Sequence, residues 1–124
     1  MRPTKLLIID FTDSDRAALA AAAESSGQFL VCGAIEDTSE GLNLATLLQP
    51  DAVVMDSPHI YEGGFAELIT RLRAAVPQAT IAVYTLLEGE HEQQQALDAG
   101  AAGYFFKDTD SVGEVLSTLR PAGR

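Results

Sequence analysis

The chain has no tryptophan, one cysteine, two histidines, and only 8 lysines and arginines against 18 acids. Each shortage removes a class of explanation. Cys32 alone closes no internal disulfide, which fits a reducing compartment and makes cytoplasmic the default location. His59 and His91 lie far apart and lack the spacing of a metal-ligating pair. A formal net charge of -10 leaves no basic face for nucleic acid and no cationic cluster for an anionic membrane. No apolar run reaches the length of a membrane span. The opening MRPTKLLIID does not read as a signal peptide, because an acid follows only a short apolar run.

What is present is an ordinary globular composition, 47% hydrophobic and 21% charged, over 124 residues. That length suits a single domain, residues 1–124, with a real core. Strand-like and helix-like patterns alternate five times, with no repeat, linker or low-complexity tract. Apolar runs at Lys5 to Ile9, Phe29 to Ala34, Ala52 to Met55, Ile81 to Tyr84 and Ala102 to Phe106 read as strands.

Between them lie helices. The first runs from Arg16 to about Glu24 behind a polar cluster, Thr12 to Asp15, that resembles a capping box. Ser25, Ser26 and Gly27 stop it. The second is capped by Thr38 or Ser39, carries Leu44, Leu47 and Leu48 as its apolar face, and ends at Pro50. The third places Phe65, Leu68, Ile69 and Leu72 on one face, and Pro77 closes its segment. The fourth, Glu90 to Ala99, is the most polar, with only Ala96 and Leu97 plainly apolar, and Gly100 follows as its C-terminal glycine. The last starts near Asp108 to Asp110, buries Val112, Val115, Leu116 and Leu119, and stops at Pro121. Such alternation predicts an α/β fold, a doubly wound parallel sheet covered on both faces.

Four of the apolar runs end in a polar side chain: Asp10, Asp56, Thr85 and Lys107. Ligands of open α/β sheets bind outside the carboxyl ends of the strands. Two acids, a hydroxyl and an ammonium at four such ends make one candidate site. Each residue also has a bland reading, as a loop cap or a solvated strand end. Their common register favours the site.

IID near the start, VVMD ending at Asp56 with Gly64 eight residues on, VYT at Thr85 and AGAAGYFFKD around Lys107 together resemble the response-regulator receiver family. The likeness runs from Lys5 to about Leu119 and is nearest to receivers that carry a C-terminal helix-turn-helix. It implies the flavodoxin-like (βα)5 fold with strand order 2-1-3-4-5. It also implies roles. Asp56 would accept a phosphoryl group from a phosphohistidine. Asp10, Asp56 and the Pro58 carbonyl would hold Mg²⁺. Lys107 and Thr85 would contact the phosphoryl oxygens, and Tyr104 would swing inward as Thr85 moves. The implied partners are a sensor histidine kinase or phosphotransfer protein and a downstream output protein or domain. A homodimer through the face of helix four, strand five and helix five is a further implication. No enzyme activity is implied beyond assisting the domain's own phosphorylation and dephosphorylation.

Three positions depart from the family pattern. Phe11 stands where a second acid is usual, with Asp13 as a nearby substitute. Leu86 stands where a small residue leaves room for the phosphoryl group. Ile60 replaces a proline after the acceptor. These departures support an alternative, a pseudo-receiver that signals by partner contact without phosphorylation. A flavodoxin-like enzyme is a third reading, and IIDFTDSDR after the first strand offers it no glycine-rich phosphate loop.

Overall fold

The apolar runs form β1 (Thr4–Asp10), β2 (Phe29–Ile35), β3 (Ala52–Asp56), β4 (Thr80–Thr85) and β5 (Gly103–Phe106). The helices between and after them are α1 (Asp13–Ser25), α2 (Thr38–Leu48), α3 (Gly64–Ala75), α4 (Glu90–Ala99) and α5 (Val112–Leu119). The structure, a computed structural model, describes residues 2–56, 64–86 and 89–120. Pro58, His59, Ile60, Glu88 and Pro121 lie outside the described residues.

All pairings are parallel and the strand order is β2-β1-β3-β4-β5. β1 and β3 are therefore neighbours, although α1, β2 and α2 separate them in the chain. Leu6, Leu7, Ile8 and Ile9 in β1 and Ala52 to Met55 in β3 are buried on both faces, as central strands of a parallel sheet require. Alternate residues feed two cores. Leu7, Ile9, Val53, Met55, Ile81 and Val83 pack with residues of α2, α3 and α4. Leu6, Ile8, Ala52, Val54, Ala82 and Tyr84 pack with residues of α1 and α5.

α3 buries the four residues that its spacing marks, Phe65, Leu68, Ile69 and Leu72. α2 departs from expectation. It buries Thr38, Gly41 and Ala45, while Leu44 and Leu48 are half-buried and Leu47 is 77% exposed. The reason is the closeness of helix and sheet. A Cβ at Gly41 would stand 2.6 Å from Ile9 Cδ1, so only a face of small residues fits against β1.

The helix starts differ too. Asp37, not Thr38 or Ser39, caps α2 by accepting from Ser39 N. Thr12 precedes α1 without a side-chain cap, so the capping box with Asp15 does not form. Ser111 and Glu114 form a reciprocal capping box at α5, beyond the acids expected to start it. Gly100 ends α4 in the left-handed conformation, φ 118°, as a helix-terminating glycine should.

Candidate functional site

The parallel register determines where the strands stop. Asp10 and Asp56 are direct partners across β1 and β3, so both carboxylates emerge at one sheet edge. Thr85 ends β4 as register partner of Phe106 in β5. Lys107 follows β5, and its backbone N–H donates to Thr85 O at 2.8 Å. The loop after Lys107 is pinned. Phe106 N donates to Asp110 Oδ2 at 2.8 Å, Asp110 N donates to Phe106 O at 2.8 Å, and Tyr84 Oη donates to Asp110 O at 3.3 Å. The Tyr84 ring lies 5.9 Å from Lys107 Nζ, within the range of a cation–π contact.

Lys107 Nζ is the hub. It stands 2.7 Å from Asp56 Oδ2, 2.8 Å from Asp15 Oδ2 and 3.0 Å from Asp10 Oδ2. An ammonium has three donors, and three carboxylates surround this one. The Lys107 side chain is only 8% exposed, and those of Asp10 and Asp56 are 2% and 14% exposed. Burial alone would lower the Lys107 pKa, but the bonds to Asp15, Asp56 and Asp10 outweigh it and hold the ammonium above its ordinary value.

Asp10 fares differently. Burial pushes its carboxyl up, the N–H of Thr12 and the Lys107 ammonium pull it down, and the nearby Asp56 charge pushes it up again, so the net direction is upward. Lys107 gains three partners, whereas Asp10 shares one cation with two other acids. Its Oδ1 accepts from Thr12 N at 2.9 Å and from Lys107 at 3.3 Å. Its buried Oδ2 lies near the ammonium but accepts no directed hydrogen bond.

The sequence offers Asp13 as the nearby substitute acid and gives Asp15 only a capping role, yet it is Asp15 that reaches Lys107. The Asp13 side chain is 85% exposed and pairs with Arg16. Arg16 Nη1 also donates to Asp10 O at 2.8 Å. That bond, with the turn in which Asp10 accepts from Thr12 N, sets the phase of α1 against β1. The phase sends Asp13 outward and Asp15 inward. The only sequence signal was an acid in the first helical turn after Asp10, which fits a helix dipole equally well.

Tyr104 is 7% exposed and packs edge-on to Phe65 at 5.8 Å and to Phe106 at 5.5 Å. Thr85 is 2% exposed. Phe11 and Leu86, at 49% and 60%, are exposed beside Asp10 and Thr85 in the chain. Cys32 is half-buried, its Sγ donates to Leu6 O at 3.4 Å, and burial pushes its thiol pKa up.

Among the described residues no three His, Cys, Asp or Glu side chains gather as a metal-holding group. A magnesium ion asks less. It takes one or two carboxylates and completes its shell with water and phosphate oxygens. Asp10, with its buried and hydrogen-bond-free Oδ2, and Asp56 beside it meet that demand. The Phe11 side chain adds no oxygen. Lys107 occupies both acids and is the competitor that a cation would displace.

The response regulator receiver domain model matches residues 6–119. The transcriptional regulatory protein LiaR of Bacillus subtilis is 30% identical over 121 residues, covering 97% of this chain and 56% of that protein. The chain thus spans about half the length of the curated relatives it matches. Among solved structures, the signal receiver domain of a NarL response regulator from Mycobacterium tuberculosis superimposes with TM-score 0.84 at 23% identity, covering all of both chains. A Burkholderia pseudomallei response regulator, solved with a phosphorylated aspartic acid, a calcium ion and citrate, superimposes with TM-score 0.81 at 27% identity, over 94% of this chain and 66% of that one.

Proposed function

This chain belongs to the response regulator receiver domain family, and from that premise we propose that Asp56 is the residue phosphorylated in two-component signalling. The observation that carries the reading is the convergence of Asp10, Asp56 and Lys107 within ion-pair distance at one sheet edge. The Burkholderia pseudomallei relative with a phosphorylated aspartic acid supports it.

An Asp56 oxygen forms an O–P bond as the N–P bond of a donor phosphohistidine breaks. The bonding electrons stay on the imidazole nitrogen, which takes up a proton from solvent. Lys107, held beside Asp56, pairs with the phosphoryl oxygens as negative charge gathers there. Thr85 hydrogen-bonds one of these oxygens. Asp10 and Asp56, with the Pro58 carbonyl that the family resemblance adds, would hold Mg²⁺, which would supply further neutralisation of phosphoryl charge. Later hydrolysis of the acyl phosphate returns the carboxylate and inorganic phosphate. We propose no turnover of another substrate.

The donor is a sensor histidine kinase or a phosphotransfer protein. The output passes through Thr85 and Tyr104 to the face of α4, β5 and α5, and from there to an output protein or domain. A second copy of the chain is another partner for that face. Nucleic acid and membrane are not partners of this acidic domain. No helix of the described residues is long and apolar enough to cross a membrane. We place the protein in the cytoplasm.

Intact mass after incubation with Mg²⁺ and acetyl phosphate, beside Asp56→Asn, tests the site. One added phosphoryl group, absent from the variant, is expected. A folded wild-type protein that takes up none from acetyl phosphate or from a histidine kinase would overturn the reading in favour of the phosphorylation-independent module.

A further inference from the structure

We propose that Asp15 is a positioning residue that keeps the Lys107 ammonium in the pocket when a divalent cation takes Asp10 and Asp56. The proposal rests on the receiver reading and goes beyond it, because it gives a role to a side chain that the family pattern does not supply.

Lys107 and a cation both need the same two carboxylates. Asp10 and Asp56 lie 3.0 Å and 2.7 Å from Nζ, so a cation that binds them must push the ammonium aside. A lysine with no other partner would leave for solvent, and its pairing with a phosphoryl group would be lost. Asp15 offers a third anchor, 2.8 Å from Nζ and on a different element. It is 39% exposed, against 2% for Asp10, so it sits at the rim and can hold the ammonium without blocking the interior.

The interior is the part prepared for a cation. Asp10 Oδ2 is buried and receives no directed hydrogen bond; the Lys107 ammonium at 3.0 Å is its charged neighbour, so a cation that displaces the ammonium meets a hard oxygen there. Charge points the same way. Three carboxylates and one ammonium leave two uncompensated negative charges, the number that a divalent ion neutralises. Phe11 contributes no charge, and Asp13 is directed at solvent with Arg16. Asp15 therefore restores what the strand end lacks, from one turn into α1.

The test compares the full chain with Asp15→Asn and Asp13→Asn, which remove the same charge two residues apart. Mg²⁺ affinity is measured by titration calorimetry. Removing one negative charge from the pocket is expected to weaken Mg²⁺ binding roughly tenfold in Asp15→Asn, and the exposed Asp13→Asn is expected to leave it unchanged. A second readout is independent of affinity. Lys5 and Lys107 are the only lysines, so ¹⁵N-lysine labelling gives two ammonium signals. The Lys107 signal is expected to persist in the wild type when Mg²⁺ is added and to vanish by solvent exchange in Asp15→Asn. Unchanged Mg²⁺ affinity and a persistent Lys107 signal in Asp15→Asn would overturn the role of Asp15 alone. Failure of the wild type to bind millimolar Mg²⁺ would overturn the metal-assisted site beneath it, and the proposal with it.

Discussion

Asp10 and Asp56 are register partners on adjacent parallel strands, and one lysine from the far side of the sheet, Lys107, stands within 3.0 Å of both. A buried acid and a half-buried one side by side repel each other, and the fold tolerates them because one ammonium pairs with both. The site thus stores an electrostatic conflict at the sheet edge. The measurable consequences concern stability as much as signalling.

Asp10→Asn should stabilise the protein at neutral pH, since burial already disfavours the charge there. The sign follows from linkage. A carboxyl whose folded pKa is raised favours folding fully below its ordinary 3.8 and loses that contribution as pH rises through the folded value. The gain from Asn should therefore be present at pH 7 and shrink as pH falls toward 3.8. Thermal melts of wild type and variant across that range measure it. A variant less stable than wild type at pH 7 would show that the bond to Lys107 outweighs burial.

Lys107→Met should cost about 3 kcal/mol at neutral pH, because it strands carboxylates that had shared a buried cation. Millimolar Mg²⁺ should raise the Tm of this variant more than that of the wild type, since the cation no longer competes with an ammonium. Melts with and without Mg²⁺ decide it. An equal response in the two proteins would mean that Lys107 does not compete for the site.

Tyr104 joins α3 to β5 through Phe65 and Phe106. Tyr104→Ala should cost about 4 kcal/mol by opening a cavity, whereas Tyr104→Phe keeps the ring contacts. Burial, with Glu92 and Asp56 nearby, pushes the Tyr104 phenol up from 10 to about 12. Its contribution is complete below pH 10 and is lost as pH rises through about 12. Denaturant unfolding of Tyr104→Phe at alkaline pH should show a shallower loss of stability than the wild type.

Leu86 is 60% exposed, so Leu86→Ala should change stability by no more than about 0.5 kcal/mol. If its place after Thr85 puts it over the approach to Asp56, the same change should speed labelling by acetyl phosphate. Time-resolved intact mass would show it. Equal rates would mean that Leu86 leaves the entrance clear.

The third helix and the four polar strand ends were legible in the sequence, because each is a local signal. Phe65, Leu68, Ile69 and Leu72 repeat at helical spacing, and Asp10, Asp56, Thr85 and Lys107 each end an apolar run. Spacing also marked Leu47 as buried, and there the fold overruled it. Leu47 is exposed because Gly41 and Ala45 are small enough to lie against β1. Which residue caps a helix was equally out of reach, since Asp37 and Thr38, or Asp110 and Ser111, differ by one step of phase.

By itself the sequence determined five strands alternating with five helices, the identity of the acids and the lysine, and a net charge of -10. Tertiary structure alone decided that Asp15 faces Lys107 while Asp13 faces water. That choice depends on how α1 is rotated over β1, and Arg16 and Thr12 set the rotation by gripping Asp10. A helix's periodicity says which residues share a face. Only its contacts with another element say where that face points.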